Sequence, residues 1–293
     1  VTTAKNLGQT ALALTDHGNM FAALRFFREC KAQGIKPVIG CEVYVANGSR
    51  FGKPENTNTG VRKYFHLILL AETETGYRNL MVLCSKGYTE GMYYKPRIDE
   101  ELLTQYSEGL ICLSACLAGE LPSLLLQGKK AEAEAHIRRY RSIFGIGNYF
   151  IELQKHGIAD EEKVAPMLIE MARKIGVPMV VTNDAHYAEQ KDAVAQDILL
   201  CIGTKKNRSD TNRMKFETDQ FYLKSAEEME KLFPGYPEML SNTCRIADRC
   251  NFDIPQPGPL LPVYQIPEDF ATKEEYITHL VHEGLKKRYN PVT

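Results

Sequence analysis

Short apolar runs alternate with segments of helical period along most of this chain, and this alternation restricts its fold more than any other feature. The candidate strands are residues 11–14, 43–45, 65–70, 110–113, 149–153 and 179–181, and the candidate helices are residues 20–33, 76–86, 129–144 and 161–175. Strands that alternate with helices are typical of βαβ units. The sequence therefore predicts an α/β fold with a parallel sheet.

Six strands suffice for either an open doubly wound sheet or a barrel. No G-x-G-x-x-G motif and no P-loop follows any of them, which disfavours the usual nucleotide-binding form of an open sheet. We therefore predict a barrel. Residues 1–7 have the pattern of a helix end, and we expect the strand before it, and with it the first βα unit, to be missing.

A proline-rich stretch, PQPGP at 255–259, divides the chain because proline can continue neither a helix nor a central strand. We predict one domain at residues 1–254 that lacks its first strand, a linker at 255–262 and the start of a second domain at 263–293. This last part contains a helical pattern at residues 273–289.

The charge balance excludes a protein that coats nucleic acid through its overall charge, since 36 Lys and Arg face 37 Asp and Glu. The sequence shows no apolar run of the roughly 18 residues needed to cross a bilayer and no signal peptide. Its eight cysteines form no C-x-x-C pair. This pattern predicts reduced thiols in a cytoplasmic protein without membrane partners.

Two similar motifs follow strands that lie far apart in the sequence. ALALTDHG occupies residues 11–18, and MVVTNDAH occupies residues 179–186. In the second motif Asp184 and His186 are two residues apart, which places both side chains on one side of an extended backbone, where they can grip one ion. Because strand ends of a parallel barrel converge on one face, we expect His17 to lie near this pair.

Other polar side chains in apolar segments are candidate ligands. Glu42 lies inside a strand-like run, and a buried glutamate is rarely left unpaired. Taken alone, Cys116 is equally consistent with a small buried hydrophobe, and His66 is more consistent with a core histidine. His156 follows a strand and is compatible with a ligand, a supporting residue or an exposed residue. The remaining histidines lie on helical patterns and suggest no role.

Longer motifs resemble a known family. They are TDHGNM at 15–20, GIKPVIGCEVYV at 34–45, GYRNL at 76–80, LAGE at 117–120, TNDAHY at 182–187, DQFYL at 219–223 and ADRCN at 247–251. They are similar to the N-terminal region of the bacterial replicative C-family polymerases, the DNA polymerase III α subunits. The resemblance covers essentially the whole chain. It implies a polymerase-and-histidinol-phosphatase (PHP) domain, a distorted seven-stranded α/β barrel, with the start of a polymerase palm region after it.

The resemblance also implies a trinuclear metal site. The positions that match the family's metal ligands are His17, Glu42, His66, Cys116, Asp184 and His186. Asp16 matches a position that we expect to orient its neighbour. The family's His-x-His motif and its following Asp, three further ligands, have no counterpart here. A ligand set of imidazole, carboxylate and thiolate suits zinc, with manganese or iron next.

Three functions remain open for such a domain. It can be a metal-dependent phosphoesterase or 3′-5′ exonuclease in which metal-activated water, rather than a side chain, performs the chemistry. It can be a metal-stabilised module that docks a separate proofreading exonuclease and other holoenzyme subunits. It can also be a free-standing phosphatase, although the proline linker and the palm-like tail weigh against this. As a DNA-directed DNA polymerase, the whole protein would use magnesium at carboxylates outside this sequence.

A basic loop is the last candidate feature. Residues 205–215 carry a local charge of +4, from five basic residues and Asp210. A solvated loop explains this composition, and contact with DNA or a protein partner is the sharper hypothesis. The candidate contacts are Lys205, Lys206, Arg208, Arg213 and Lys215.

Overall fold

The computed structural model describes residues 1–53, 62–255, 258–259 and 261–289. The chain divides into two compact units, Val1–Ile254 and Pro255–Thr293. Residues 256, 257 and 260 of the predicted linker, and residues 290–293 of the predicted second domain, lie outside the described residues. No helix among the described residues is long and apolar enough to cross a membrane.

The strands of the first unit build one sheet. They are β1 (Ala11–Leu14), β2 (Lys36–Ala46), β3 (Tyr64–Ala71), β4 (Met92–Tyr93), β5 (Lys95–Ile98), β6 (Leu110–Leu113), β7 (Tyr149–Leu153) and β8 (Met179–Val181). Seven of them follow the order β4-β5-β2-β3-β6-β7-β8, and β1 pairs with the first half of β2. The result is a curled half-barrel, which confirms the predicted α/β fold class.

The prediction of a parallel sheet is wrong. β3 runs antiparallel to both of its neighbours, β2 and β6, and β4 runs antiparallel to β5. Parallel pairs join β1 to β2, β2 to β5, β6 to β7 and β7 to β8. The described residues between β2 and β3 contain no helix, and antiparallel neighbours need no crossover helix between them.

Helices alternate with most of the strands in the first unit, and one more helix lies in the second unit. They are α1 (Thr2–Asn6), α2 (Ala23–Gln33), α3 (Glu74–Thr89), α4 (Glu100–Gln105), α5 (Glu120–Leu126), α6 (Lys130–Phe144), α7 (Ala159–Ile175), α8 (Ala193–Thr204), α9 (Ala226–Leu232), α10 (Pro237–Arg249) and α11 (Lys273–Arg288). The hydroxyl of Thr73 caps α3 by accepting the Gly76 N–H at 3.2 Å. Gly176 ends α7 in a left-handed conformation, φ 72°.

Successive side chains of β3 point to opposite faces of the sheet, and apolar side chains lie on both faces. Leu67 and Leu69 join the main core, where the sheet packs on helices such as α3 and α7, whereas Ile68 and Leu70 join a second cluster on the opposite face. In the β2–β3 register Glu42 faces Ile68, and Tyr44 faces His66. Glu42 and His66 are therefore diagonal neighbours on the face of the second cluster.

The second unit is small and contains α11. The hydroxyl of Thr272 caps this helix by accepting the Glu275 N–H at 3.2 Å. None of the helix residues is buried. Within the unit, the ring of Tyr276 packs against the rings of Tyr264 and Phe270.

Candidate metal centre

Backbone hydrogen bonds join the segment after β1 to the middle of β2. The Glu42 N–H donates to the Asp16 carbonyl at 3.0 Å, and the Gly18 N–H donates to the Glu42 carbonyl at 2.8 Å. Gly18 has a φ of 68°, and a Cβ atom there would lie 2.8 Å from the ring of Tyr44. Glycine is therefore required at this turn. The arrangement places His17 Nε2 3.7 Å from Glu42 Oε1.

Three of the six predicted ligands form a single cluster. One donor atom from each of Glu42, His66 and Cys116 lies within 4.8 Å of the other two. His66 Nδ1 is 2.9 Å from Glu42 Oε1 and 3.7 Å from Cys116 Sγ. A single ion could therefore contact an oxygen, a nitrogen and a sulfur from three separate segments of the chain.

The remaining predicted ligands lie beside this cluster. The ring centroid of His186 is 5.5 Å from that of His17, which in turn is 6.4 Å from that of His66. His186 Nδ1 lies 3.7 Å from Asp184 Oδ1 and 2.8 Å from the Asp184 carbonyl oxygen. Asp184 has a φ of 46°, a left-handed conformation that Asp tolerates better than most residues. The segments that follow the C-terminal ends of β1 and β8 thus meet at one site.

The carboxyl of Glu42 interacts electrostatically with three neighbouring imidazoles. Its side chain is 5% exposed. Burial alone would raise the pKa of this carboxyl, but the imidazoles of His66, His17 and His186 outweigh burial and hold it below its ordinary value. Although His66 is close, Glu42 Oε1 has no hydrogen-bond partner. A buried carboxylate oxygen without a donor is an expected feature of a cation site.

The pKa values of Cys116 and Asp184 are raised, in contrast to that of Glu42. Burial raises the pKa of the Cys116 thiol, and the nearby carboxyls of Asp184 and Glu42 raise it further. Burial also raises the pKa of Asp184, which His186 only partly offsets. A cation in this site would favour the ionised forms of both groups. The thiol, carboxyl and imidazole donors suit zinc, so the side chains present fit the expected metal.

Two further residues from the sequence analysis, Asp16 and His156, form hydrogen bonds that support the site. Asp16 supports the site through its carbonyl oxygen, which accepts from the Glu42 N–H and from Cys41 Sγ. His156 is buried, with Nδ1 2.7 Å from Glu161 Oε1 and Nε2 2.6 Å from the Asn183 carbonyl. Because both ring nitrogens are engaged, His156 supports the loop that precedes Asp184.

Sequence reasoning missed Glu152, a buried carboxyl on β7. Burial raises its pKa to about 7, although a hydrogen bond from the Thr182 hydroxyl opposes this. Its Oε2 has no hydrogen-bond partner. Glu152 and Cys116 line the same small cavity, of about 20 Å³. The sequence does contain a signal for Glu152, because this glutamate interrupts an apolar strand as Glu42 does.

The predicted basic loop is partly neutralised within the chain. Arg213 Nη1 and Arg208 Nε bind the carboxylate of Asp197 on α8 at 2.5 and 3.0 Å. Lys205 and Lys206, in contrast, are exposed. Since Asp197 holds both arginines, the exposed lysines are the more available cations for an anionic partner.

Comparison with known proteins agrees with the motifs. A family model described as "PHP domain" matches residues 1–156. The DNA polymerase III subunit alpha of Treponema pallidum is 69% identical over 293 residues, which are 100% of this chain and 25% of that protein. The protein of the same name from Borreliella burgdorferi is 49% identical over 294 residues, with 100% and 25% covered. That from Thermus aquaticus is 44% identical over 285 residues, with 95% and 23% covered.

The chain therefore spans about a quarter of the length of the curated relatives it matches. These matches confirm the resemblance that the motifs indicated. The family model covers just over half of the chain, including β1 to β7 and four of the six predicted ligands. The chain belongs to the PHP domain family.

Proposed function

We propose that this domain is a metal-dependent phosphoesterase, acting as a 3′-5′ exonuclease, at the N-terminal end of a DNA polymerase of the DNA polymerase III α type. The observation that carries the proposal is the cluster of Glu42, His66 and Cys116, whose donor atoms lie within 4.8 Å of one another. His17 and His186 extend the cluster into a site large enough for more than one ion. Such a site suits a phosphodiester substrate.

The proposed roles follow from position. Glu42, His66 and Cys116 would hold one ion, and His17 with the Asp184–His186 pair would hold its neighbours. When bound, the metals would activate water and neutralise charge on the phosphate. The chain itself supplies geometry, because the backbone bonds between β1 and β2 fix His17 beside Glu42.

Polymerisation belongs to another part of the whole protein. The curated relatives are named DNA polymerase III subunit alpha, and this chain matches a quarter of each. Nucleotide transfer requires carboxylates that bind two magnesium ions, and we place these outside residues 1–293. DNA and other subunits of a replicative polymerase are the proposed partners, with Lys205 and Lys206 as candidate DNA contacts alongside Lys215 and the partly neutralised Arg208 and Arg213.

The positions of the three donors also favour a second function. Glu42 lies on β2, His66 on β3 and Cys116 just after β6, so one ion would tie three strands together. In this case the metal stabilises the fold, and the domain serves as a docking module for a separate proofreading exonuclease. Metal binding without hydrolysis is the result that distinguishes this function.

The test is zinc- or manganese-dependent hydrolysis of a 3′-labelled oligonucleotide. It compares this chain with one extended upstream through the His-x-His motif. We expect chelator-sensitive hydrolysis by the longer chain and little by this one, because lost ligands weaken metal binding and misalign the reacting groups. Cys116→Ala should abolish hydrolysis by the longer chain, whereas Cys244→Ala, at an exposed cysteine, should not.

Two results would count against the proposal. Metal binding by the longer chain without any hydrolysis would leave only the docking function. Equal chelator-sensitive rates from both chains would show that the upstream motif is unnecessary, and the ligand assignment would have to be redrawn.

A further inference from the structure

The β4–β5 hairpin turns at a single residue, Tyr94. Tyr93 pairs with Lys95 and Met92 pairs with Pro96 across the hairpin, which leaves Tyr94 at its tip. Tyr94 has a φ of 62°, a conformation that is strained for a bulky side chain and that glycine or asparagine adopts more readily. Its side chain is nevertheless an aromatic ring, and the residue is 65% exposed. The turn itself does not require a tyrosine.

Lysine side chains lie against the aromatic rings around this tip. Lys63 Nζ is 3.9 Å from the ring centroid of Tyr94 and 5.3 Å from that of Tyr93. Lys95 Nζ is 5.1 Å from the ring centroid of Tyr44. A cation thus lies against two aromatic rings on one small surface, and a second cation lies beside the buried ring of Tyr44.

The same surface reaches the candidate metal centre. The ring of Tyr64 is parallel to that of His66, within 4°, at a centroid distance of 6.3 Å. The buried Tyr44 ring meets both of these rings edge-on, at 5.1 and 5.3 Å. We call Lys63, Tyr64, Tyr93, Tyr94 and Lys95 the tyrosine–lysine rim. It is continuous with His66 through ring contacts.

We propose that the tyrosine–lysine rim binds single-stranded nucleic acid, with a base stacked on Tyr94 and backbone phosphates beside Lys63 and Lys95. Aromatic rings interleaved with cations are the chemistry of single-strand binding, because every unpaired base offers a π face and every linkage a negative charge. Only a strand with unpaired bases can use an exposed ring in this way. Tyr64, which follows Lys63 in the chain and whose ring is parallel to that of His66, would connect such a strand to the metal centre.

The site deepens the proposed phosphoesterase function and rests on it only for the fate of the bound strand. Binding is therefore measured with chelator present, so that metal chemistry cannot contribute. The probe is a fluorescently labelled oligothymidylate of about a dozen nucleotides, within the usual site sizes for single-strand binding. Fluorescence anisotropy gives the Kd for this chain and its variants at several salt concentrations.

Ring substitutions test the stacking. Tyr94→Ala should raise the Kd about five-fold or more, the loss expected from one base–aromatic stack. Tyr94→Phe retains the ring and should keep the Kd close to that of the unchanged protein. Tyr289→Ala is the matched control, because Tyr289 is 64% exposed but lies in the other unit. It should leave the Kd unchanged, and thermal unfolding should show that all variants fold.

Lysine substitutions test the phosphate contacts. Replacing Lys63 and Lys95 together by alanine should raise the Kd and reduce the slope of log Kd against log salt by about one to two. An unchanged Kd for Tyr94→Ala would overturn the proposal. Loss of binding in the lysine variant alone would also overturn it, and would indicate a surface for any polyanion, an acidic peptide included. Intact binding without hydrolysis in metal would support the rim while contradicting the phosphoesterase.

Discussion

Replacing Glu152 by glutamine should stabilise the metal-free chain at neutral and alkaline pH. Glu152 is 4% exposed, and its Oε1 accepts from Gln154 Nε2 at 3.1 Å and from the Thr182 hydroxyl. A glutamine carbonyl can accept both of these bonds. The substitution therefore keeps both bonds to Oε1, places the amide NH2 where Oε2 has no hydrogen-bond partner, and removes the charge that burial opposes.

The magnitude follows from the pKa. Burial raises the pKa of Glu152 from its ordinary 4.5 to about 7, and a rise of this size corresponds to about 3 kcal/mol. Because the folded state binds the proton more tightly, its stabilising effect is complete below pH 4.5 and is lost as the pH rises to about 7. Glu152→Gln should thus gain little near pH 4.5 and about 3 kcal/mol above pH 7.

Urea unfolding in the presence of chelator, over a series of pH values across this range, measures the effect. Glu170→Gln, an exposed substitution on α7, is the matched control and should follow the unchanged protein at every pH. The reasoning fails if Glu152→Gln is destabilised above pH 7. It also fails if its free energy of unfolding runs parallel to that of the unchanged protein, because either result would mean that Glu152 is ionised in the fold without cost.

Three other predictions test separate parts of the structure. Cys116→Ala should weaken zinc binding at least ten-fold in competition titrations with a chelating dye, since it removes a donor of the cluster; unchanged affinity would exclude Cys116 as a ligand. Replacing Lys205 and Lys206 by alanine should lower DNA affinity and flatten its salt dependence; an unchanged salt slope would count against the basic loop. Gly76→Ala would place a Cβ atom 1.8 Å from a backbone carbonyl oxygen, and we expect a loss of about 1–3 kcal/mol in urea unfolding. Gly203→Ala, in open space on α8, should instead be neutral or stabilising.

The sequence predicted the bounds of the short, mostly apolar strands. β1, β6, β7 and β8 begin and end at the predicted residues. For β2 only residues 43–45 were predicted, because Pro37, Gly40 and Glu42 interrupt its apolar run, although it extends from Lys36 to Ala46. Strand direction was predicted wrongly, because periodicity records which face a side chain occupies and not which way the chain runs.

The β4–β5 hairpin was missed for a related reason. It turns at Tyr94, without the glycine or asparagine that marks most tight turns. The strand Met92–Tyr93 is only two residues long, which is too short for any alternation to be recognised. The rim beside the metal centre was therefore invisible to pattern analysis.

The candidate site was only partly predictable from residues alone. Glu42, His17 and the Asp184–His186 pair stand out as polar groups in or after apolar strands. In isolation His66 looks like a core residue and Cys116 is equally consistent with one, and only the family resemblance predicted both as ligands. Their proximity, 3.7 Å between His66 Nδ1 and Cys116 Sγ, depends on the antiparallel pairing of β3 with β6, which local patterns do not encode.

Anomalous X-ray diffraction at the zinc edge tests the central claim most directly. Crystals of this chain grown with zinc should show an anomalous peak about 2.0–2.3 Å from donor atoms of Glu42, His66 and Cys116. Equivalent data above the manganese and iron edges identify the metal if zinc is absent. No peak at these three side chains in crystals that contain excess zinc, or a peak bound only elsewhere, would contradict the account.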